Sequence, residues 1–164
     1  HYETNMFKGY ALIIGPSDTP YQDGFYFFEF SFTNDYPFSP PVVTYHTNDG
    51  ITRFNPNLYR NGKVCLSILN TWRGEQWSSC QNISTILLTL VTIFNNNPLL
   101  NEPGYSESNK WCELYKGCIE FMNYKSAIIN IVNKKLLQNQ FDMFYPTVLE
   151  HFNKKKEIIL ERIE

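Results

Sequence analysis

Every segment of this sequence with the two-residue alternation of a strand falls before residue 46, and every segment with helical spacing falls after residue 81. That order leaves no room for the strand, helix, strand crossovers that a parallel sheet needs. The expected fold class is therefore α+β: an antiparallel meander sheet packed against helices, with a long loop following the sheet and extended C-terminal helices.

A first strand is read from Phe7 to Ile14, ended by Gly15-Pro16 and the turn formers Ser17-Asp18-Thr19-Pro20. Phe25 to Phe32 alternates most clearly, with Tyr26, Phe28, Phe30 and Phe32 on one face and Glu29 and Ser31 among those on the other, which predicts a half-buried strand. A third, Val42 to Tyr45, is entered through Tyr36-Pro37-Phe38-Ser39-Pro40-Pro41, whose prolines withhold backbone donors and enforce an extended path. The aromatic share of 16%, with 13 Phe and 11 Tyr, suits such a sheet packed on helices.

From Asn48 to Asn82 the chain is rich in Asn, Gly, Pro and Arg, with only a brief apolar run at Val64 to Leu69. An ordered loop of this length inside a compact domain is usually functional. Asn82 is placed to cap a helix with Ile83, Ile86, Leu87, Leu90 and Phe94 on its apolar stripe, stopped at Asn95-Asn96-Asn97-Pro98. A second helix turns Trp111, Leu114, Tyr115, Cys118, Ile119 and Met122 inward and continues, after a break, through Ile128, Ile131, Val132 and Leu136. The last begins near Pro146 and directs Val148, Leu149, Phe152 and Ile159 inward. With neither repeats nor a linker, residues 1–164 read as one domain, long enough to bury a core without disulfides.

A net charge of −2 sets up no basic field, which argues against nucleic acid as a partner, and the run Lys154-Lys155-Lys156, balanced by Glu157 and Glu161, reads as a solvated helix face. No apolar run approaches the roughly 20 residues that span a bilayer, and no signal-peptide pattern opens the sequence, so no membrane partner and a cytosolic or nuclear location are expected. Among Cys65, Cys80, Cys112 and Cys118 there is no Cys-x-x-Cys pair and no accompanying His-x-x-x-His, so neither a metal nor a cofactor is expected. Cys112 and Cys118 lie at helical spacing and are expected to be small buried groups, whereas Cys65 lies in the long loop.

The stretch Arg53-Phe54-Asn55-Pro56-Asn57, followed by Gly62 and then Cys65-Leu66-Ser67-Ile68-Leu69, resembles the active-site signature of ubiquitin-conjugating enzymes. That family carries His-Pro-Asn, a short loop with a Gly, and a catalytic Cys followed by Leu-x-Ile-Leu. The downstream Trp77-Ser78 and the upstream Tyr36-Pro37-Phe38-x-Pro40-Pro41 also match, so the resemblance runs from about Met6 to Pro98. It implies a carrier that accepts ubiquitin or a ubiquitin-like modifier from an activating enzyme as a thioester on Cys65. The modifier then passes to a substrate lysine, usually with a ubiquitin ligase. The chemistry agrees, because sulfur can attack an incoming thioester, carry the acyl group and leave again when an amine attacks. Small or polar neighbours such as Gly62 and Ser67 are expected to keep the sulfur reachable.

On the same resemblance, Asn57 is the candidate donor to the oxyanion formed when the amine attacks, though a turn-forming Asn that supports its own loop fits as well. Glu102, just before Pro103, is the candidate acidic group beside the acceptor amine, and a plain exposed loop glutamate fits equally. Ser67 is expected to shape the surroundings of the thiol. Ligases would grip Phe38 and Trp77, although Phe38 could instead close the end of the sheet.

Asn55 stands where the family has His, and Ser79-Cys80 replaces the common Pro-Ala. The loop Asn70 to Gln81 and the further C-terminal helices resemble the branch of large conjugating enzymes. Residues His1 to Asn5 are too few for the family's N-terminal helix, which, given a start at His1 rather than Met, is expected upstream. Two other readings stay open. One is a catalytically inactive relative that only binds and presents a modifier, which the presence of Cys65 opposes; the other is a cysteine hydrolase with His46 as base.

Overall fold

The computed structural model describes residues 7–162, so His1 to Asn5 and Met6 lie outside the described residues. Strands β1 (Lys8–Ile14), β2 (Phe25–Ser31) and β3 (Val42–Tyr45) form an antiparallel sheet in the order β1-β2-β3. The register sets Ala11 opposite Phe28 and Glu29 opposite Thr44. This is the expected meander, with bounds within a residue of the pattern.

The sheet differs from the expectation in having both faces covered. Tyr26, Phe28 and Phe30 enter one apolar cluster with Phe54, Leu58, Ile86, Leu90 and Phe94, while Phe25 and Phe27 enter a second with Ile128, Ile131, Phe141, Val148 and Ile159. Strand β2 is thus a central strand buried on both sides rather than a half-buried one, which explains why four of its seven residues are Phe. Alternation had marked one face because Glu29 and Ser31 lie on the other, but both sit at the end where the C-terminal layer gives out.

Helix α1 (Ile83–Ile93) is capped as expected, with the Asn82 side chain accepting from the Thr85 N–H at 3.2 Å. Ile86, Leu90 and Ile93 face the core, and Ile83 is exposed instead. Helix α2 (Trp111–Met122) departs further. Ile119 is buried and Tyr115 and Met122 pack against the core as expected, with Cys112 buried beside them, whereas Trp111, Leu114 and Cys118 face outward, so only half of the apolar spacing there marks the core side.

The expected break after α2 is a π-helical segment, Asn123–Ile129, followed by the short α3 (Asn130–Val132). Polar side chains account for it. Asn123, 1% exposed, accepts from the Tyr26 hydroxyl at 2.6 Å and donates to the Gln22 carbonyl at 2.9 Å. A Cβ on Gly24 would lie 1.9 Å from the Asn123 Oδ1, so glycine is needed at that point of contact. Helix α4 (Tyr145–Glu161) then packs Val148 and Ile159 on the second face, and Asp23 in the β1–β2 turn holds it through His151 at 2.9 Å and Arg162 at 3.3 Å.

The long loop is anchored at its start by Asp49. Burial alone would raise its carboxyl, but the Thr52 and Ile51 N–H groups and the Thr52 and Ser126 hydroxyls donate to it and bring it below the ordinary aspartate value. A depressed folded-state value contributes stability that is present above the unfolded pKa of about 4 and is lost as pH falls through the lower folded value. Asp49→Asn is accordingly expected to lower the urea midpoint at pH 7 and to lower it much less at about pH 3. Asn123→Ala, which leaves the buried Tyr26 hydroxyl without its acceptor, is expected to cost about 2 kcal/mol, read as a lower midpoint at unchanged slope.

Candidate active site

The segment that carries Cys65 is held flat by its flanks. Val64 and Leu66 are 2% and 5% exposed and belong to the main apolar cluster, which pins the backbone on either side of residue 65. Thr71 fastens the same two residues: its hydroxyl accepts from the Leu66 N–H at 2.9 Å and donates to the Val64 carbonyl at 2.9 Å. Gly62, at φ 86°, makes the turn that leads in, where a side chain would press on Thr44 and the Tyr45 carbonyl.

Asn57 and Cys65 are paired reciprocally. The Cys65 N–H donates to the Asn57 carbonyl at 2.8 Å, and the Asn57 side-chain amide donates to the Cys65 carbonyl at 2.7 Å. Asn57 Oδ1 is buried without a hydrogen-bond partner among the described residues. The loop-supporting role of Asn57 is thus observed through one side-chain N–H, and the same amide lies against the backbone of Cys65.

The expectation of an open thiol is corrected. Cys65 is 3% exposed, because its two neighbours are drawn into the core and carry it inward. It lies among the buried apolar residues, and the Asn57 amide and the Thr71 hydroxyl fasten the backbone around it. A cleft of about 420 Å³ opens beside its neighbour Val64, lined also by Pro41, Val43, Thr44, Gly62 and Lys63, and Cys65 itself does not line it.

Asn55, the residue at the family's His position, is fully buried. Its amide donates to the Tyr21 hydroxyl at 2.9 Å and to the Ile93 carbonyl at 2.8 Å; its oxygen accepts from the Asn57 N–H at 2.9 Å and from Asn101 at 3.3 Å. Tyr21 in turn donates to the Phe54 carbonyl at 2.7 Å, and burial holds its phenol protonated. Nothing in the spacing of the sequence pointed to Asn101 or Thr71. Their partners are distant in the chain or are backbone groups.

Glu102 is engaged by Arg53 at 3.3 Å, and Arg53 also donates to the Pro56 carbonyl and stacks on Tyr59 at 4.4 Å. Arg53, Pro56 and Glu102, with Leu99, Pro103, Tyr105 and Tyr115, line a second cleft of about 370 Å³. Ser67 is half-buried and lies against Gly74. Phe38 is 83% exposed, so it does not close the sheet, and Trp77 reaches the same loop, its indole N–H donating to the Pro37 carbonyl at 2.7 Å. His46 lies against Phe141 in the C-terminal layer, with Nδ1 3.0 Å from Gln138, and His151 pairs with Asp23. Neither described histidine partners the thiol as a hydrolase base would.

The chain matches the family model for ubiquitin-conjugating enzymes over residues 1–119. It is 38% identical over 164 residues to ubiquitin-conjugating enzyme E2 Z of Danio rerio, covering 97% of this chain and 50% of that protein. Against the human E2 Z it is 44% identical over 134 residues, 80% of this chain and 38% of the relative. It is also 38% identical over 163 residues to the human dual E2 ubiquitin-conjugating enzyme/E3 ubiquitin-protein ligase BIRC6, 94% of this chain and 3% of that protein. The chain thus spans half or less of the length of these relatives. A matching family model over most of the chain, laid on a sheet, loop and helix order that brings Asn57 against Cys65, places this chain in the ubiquitin-conjugating enzyme family.

Proposed function

We propose that this chain is a single catalytic domain that accepts ubiquitin or a ubiquitin-like modifier from an activating enzyme and transfers it to a lysine amine of a substrate protein, with a ligase. The reciprocal Asn57–Cys65 pairing carries the reading. In loading, the Cys65 sulfur attacks the activating enzyme's thioester, and the enzyme's own thiol leaves with the proton. In transfer, the amine nitrogen attacks the carbonyl, the C–N bond forms, and the C–S bond breaks to return Cys65 as thiol or thiolate.

Asn57 serves as the amide donor beside the carbonyl during transfer, with Ser67 and Glu102 flanking the site. Because Cys65 is recessed, engagement of the modifier's C-terminus goes with a local shift of the polar loop around it. Phe38 and Trp77 form one ligase surface; their loops are joined by a hydrogen bond, and an 83%-exposed aromatic on a proline-stiffened loop is suited to an interface. Four free cysteines suit the reducing interior of a cell, in cytosol or nucleus.

Incubation with activating enzyme, ATP and modifier is expected to give an adduct on a non-reducing gel that thiol removes. Cys65→Ser should give a thiol-resistant adduct, and Cys65→Ala none. A thiol-sensitive adduct that persists in Cys65→Ala would reject Cys65 as the carrier. Asn57→Ala is expected to load yet to slow transfer to free lysine by roughly 10²- to 10³-fold, measured in single-turnover discharge.

A further inference from the structure

We propose that Asn101 and Glu102 act together as a positioning clamp on Asn55-Pro56-Asn57, holding Asn57 and Cys65 in register for transfer while neither touches the reacting atoms. The inference rests on the transfer reading above.

Both prongs come from the short turn Pro98–Asn101 and the residue that follows it. Asn101 Nδ2 donates to the Asn55 oxygen at 3.3 Å and to the Ile93 carbonyl at 3.1 Å, and Asn101 Oδ1 accepts from Asn95 at 3.0 Å. Ile93 is the last residue of α1, so its carbonyl is one that the helix itself leaves unbonded. Two carboxamides, Asn55 and Asn101, meet on that oxygen. The end of α1 thereby becomes a fixed point from which the 53–57 loop is hung.

The second prong is ionic. Glu102 Oε2 lies 3.3 Å from Arg53 Nη2, and that same nitrogen donates to the Pro56 carbonyl at 2.5 Å. Glu102 thus steers the group that grips Pro56, as Asn101 steers the one that grips the Asn57 N–H. Residue 56 is held through its carbonyl and residue 57 through its amide, on either side of one peptide bond. That bond leads directly to the Asn57 carbonyl and side chain that meet Cys65. Engagement by Arg53 also assigns Glu102 a different task from the amine-facing acid read in the sequence.

The test uses the whole chain with Asn101→Ala, Glu102→Gln and Asn57→Ala. In Asn101→Ala, backbone amide exchange is expected to accelerate at Asn57 and Cys65 while the β2 amides of Phe28 and Phe30 keep their rates. Discharge of the loaded chain to free lysine should slow roughly 10-fold in the maximal rate, with the half-saturating lysine concentration unchanged. Added to Asn57→Ala, the substitution should slow discharge no further, since it acts through that residue.

Unchanged exchange at 57 and 65, or slowing that multiplies with Asn57→Ala, overturns the clamp. Glu102→Gln leaves an oxygen for Arg53 and should keep the pH midpoint of lysine discharge in place. A midpoint that moves would make Glu102 an amine-facing charge, since removing a carboxylate beside an ammonium lowers the amine's pKa, and would remove it from the clamp. If the unsubstituted chain fails to load, the transfer reading fails, while the exchange rates still decide the clamp.

Discussion

A carboxamide sealed from water must find partners for two N–H groups and two lone-pair directions within the protein, and Asn55 finds all four. Each partner belongs to a different part of the molecule: the β1–β2 connection through Tyr21, the end of α1 through Ile93, the 53–57 loop through Asn57, and the turn after α1 through Asn101. A mispaired amide in a site this dry costs on the order of 1–3 kcal/mol per group, so these four parts have one arrangement and few near alternatives. The position of Cys65 follows from that arrangement, because its N–H and carbonyl are both spent on Asn57.

The same logic of mutual satisfaction holds the second layer. Tyr26, buried in the sheet, would carry a stranded hydroxyl if Asn123 did not accept from it, and burial keeps that phenol protonated and donating. Asn123 reaches inward from the π-helical segment, and Ser126 of the same segment donates to Asp49 at the start of the long loop. One irregular stretch of helix therefore ties the C-terminal layer both to the central strand and to the start of the long loop that carries Cys65. The C-terminal helices are part of the apparatus that shapes the site, although they lie on the opposite face of the sheet.

The sheet, the α1 cap and the identity of the candidate thiol were legible in the sequence because each is written in local chemistry: alternation in Phe25 to Phe32, Asn82 three residues ahead of Thr85, a Cys inside a long polar loop. The second buried face was not legible, since Phe25 and Phe27 share a face with the polar Glu29 and Ser31 and only the distant Phe141 and Ile159 reveal what covers them. Helix α2 misled for a related reason. Helical spacing shows which residues share a face but not which way the face turns, and Trp111, Leu114 and Cys118 share the solvent side. Asn101 left no trace at all, its partners being 46 residues away in Asn55 and a backbone oxygen in Ile93.

A recessed thiol looks at first like a poor acyl carrier, and the way it is recessed bears on that. Hydrocarbon covering a sulfur can be withdrawn only by exposing apolar surface, at roughly 25 cal/mol for each Å² uncovered. The backbone of Cys65 and its flanks is fastened through the Thr71 hydroxyl and the Asn57 amide. Polar fastenings can be handed to water or to an incoming peptide carbonyl at a net cost of about 1 kcal/mol each. The residues that fix the backbone, Val64 and Leu66, need not move for this. On the proposed transfer reading, rigid flanks with exchangeable polar fastenings would let the buried sulfur come within reach of a partner's C-terminus without unpacking Val64 and Leu66.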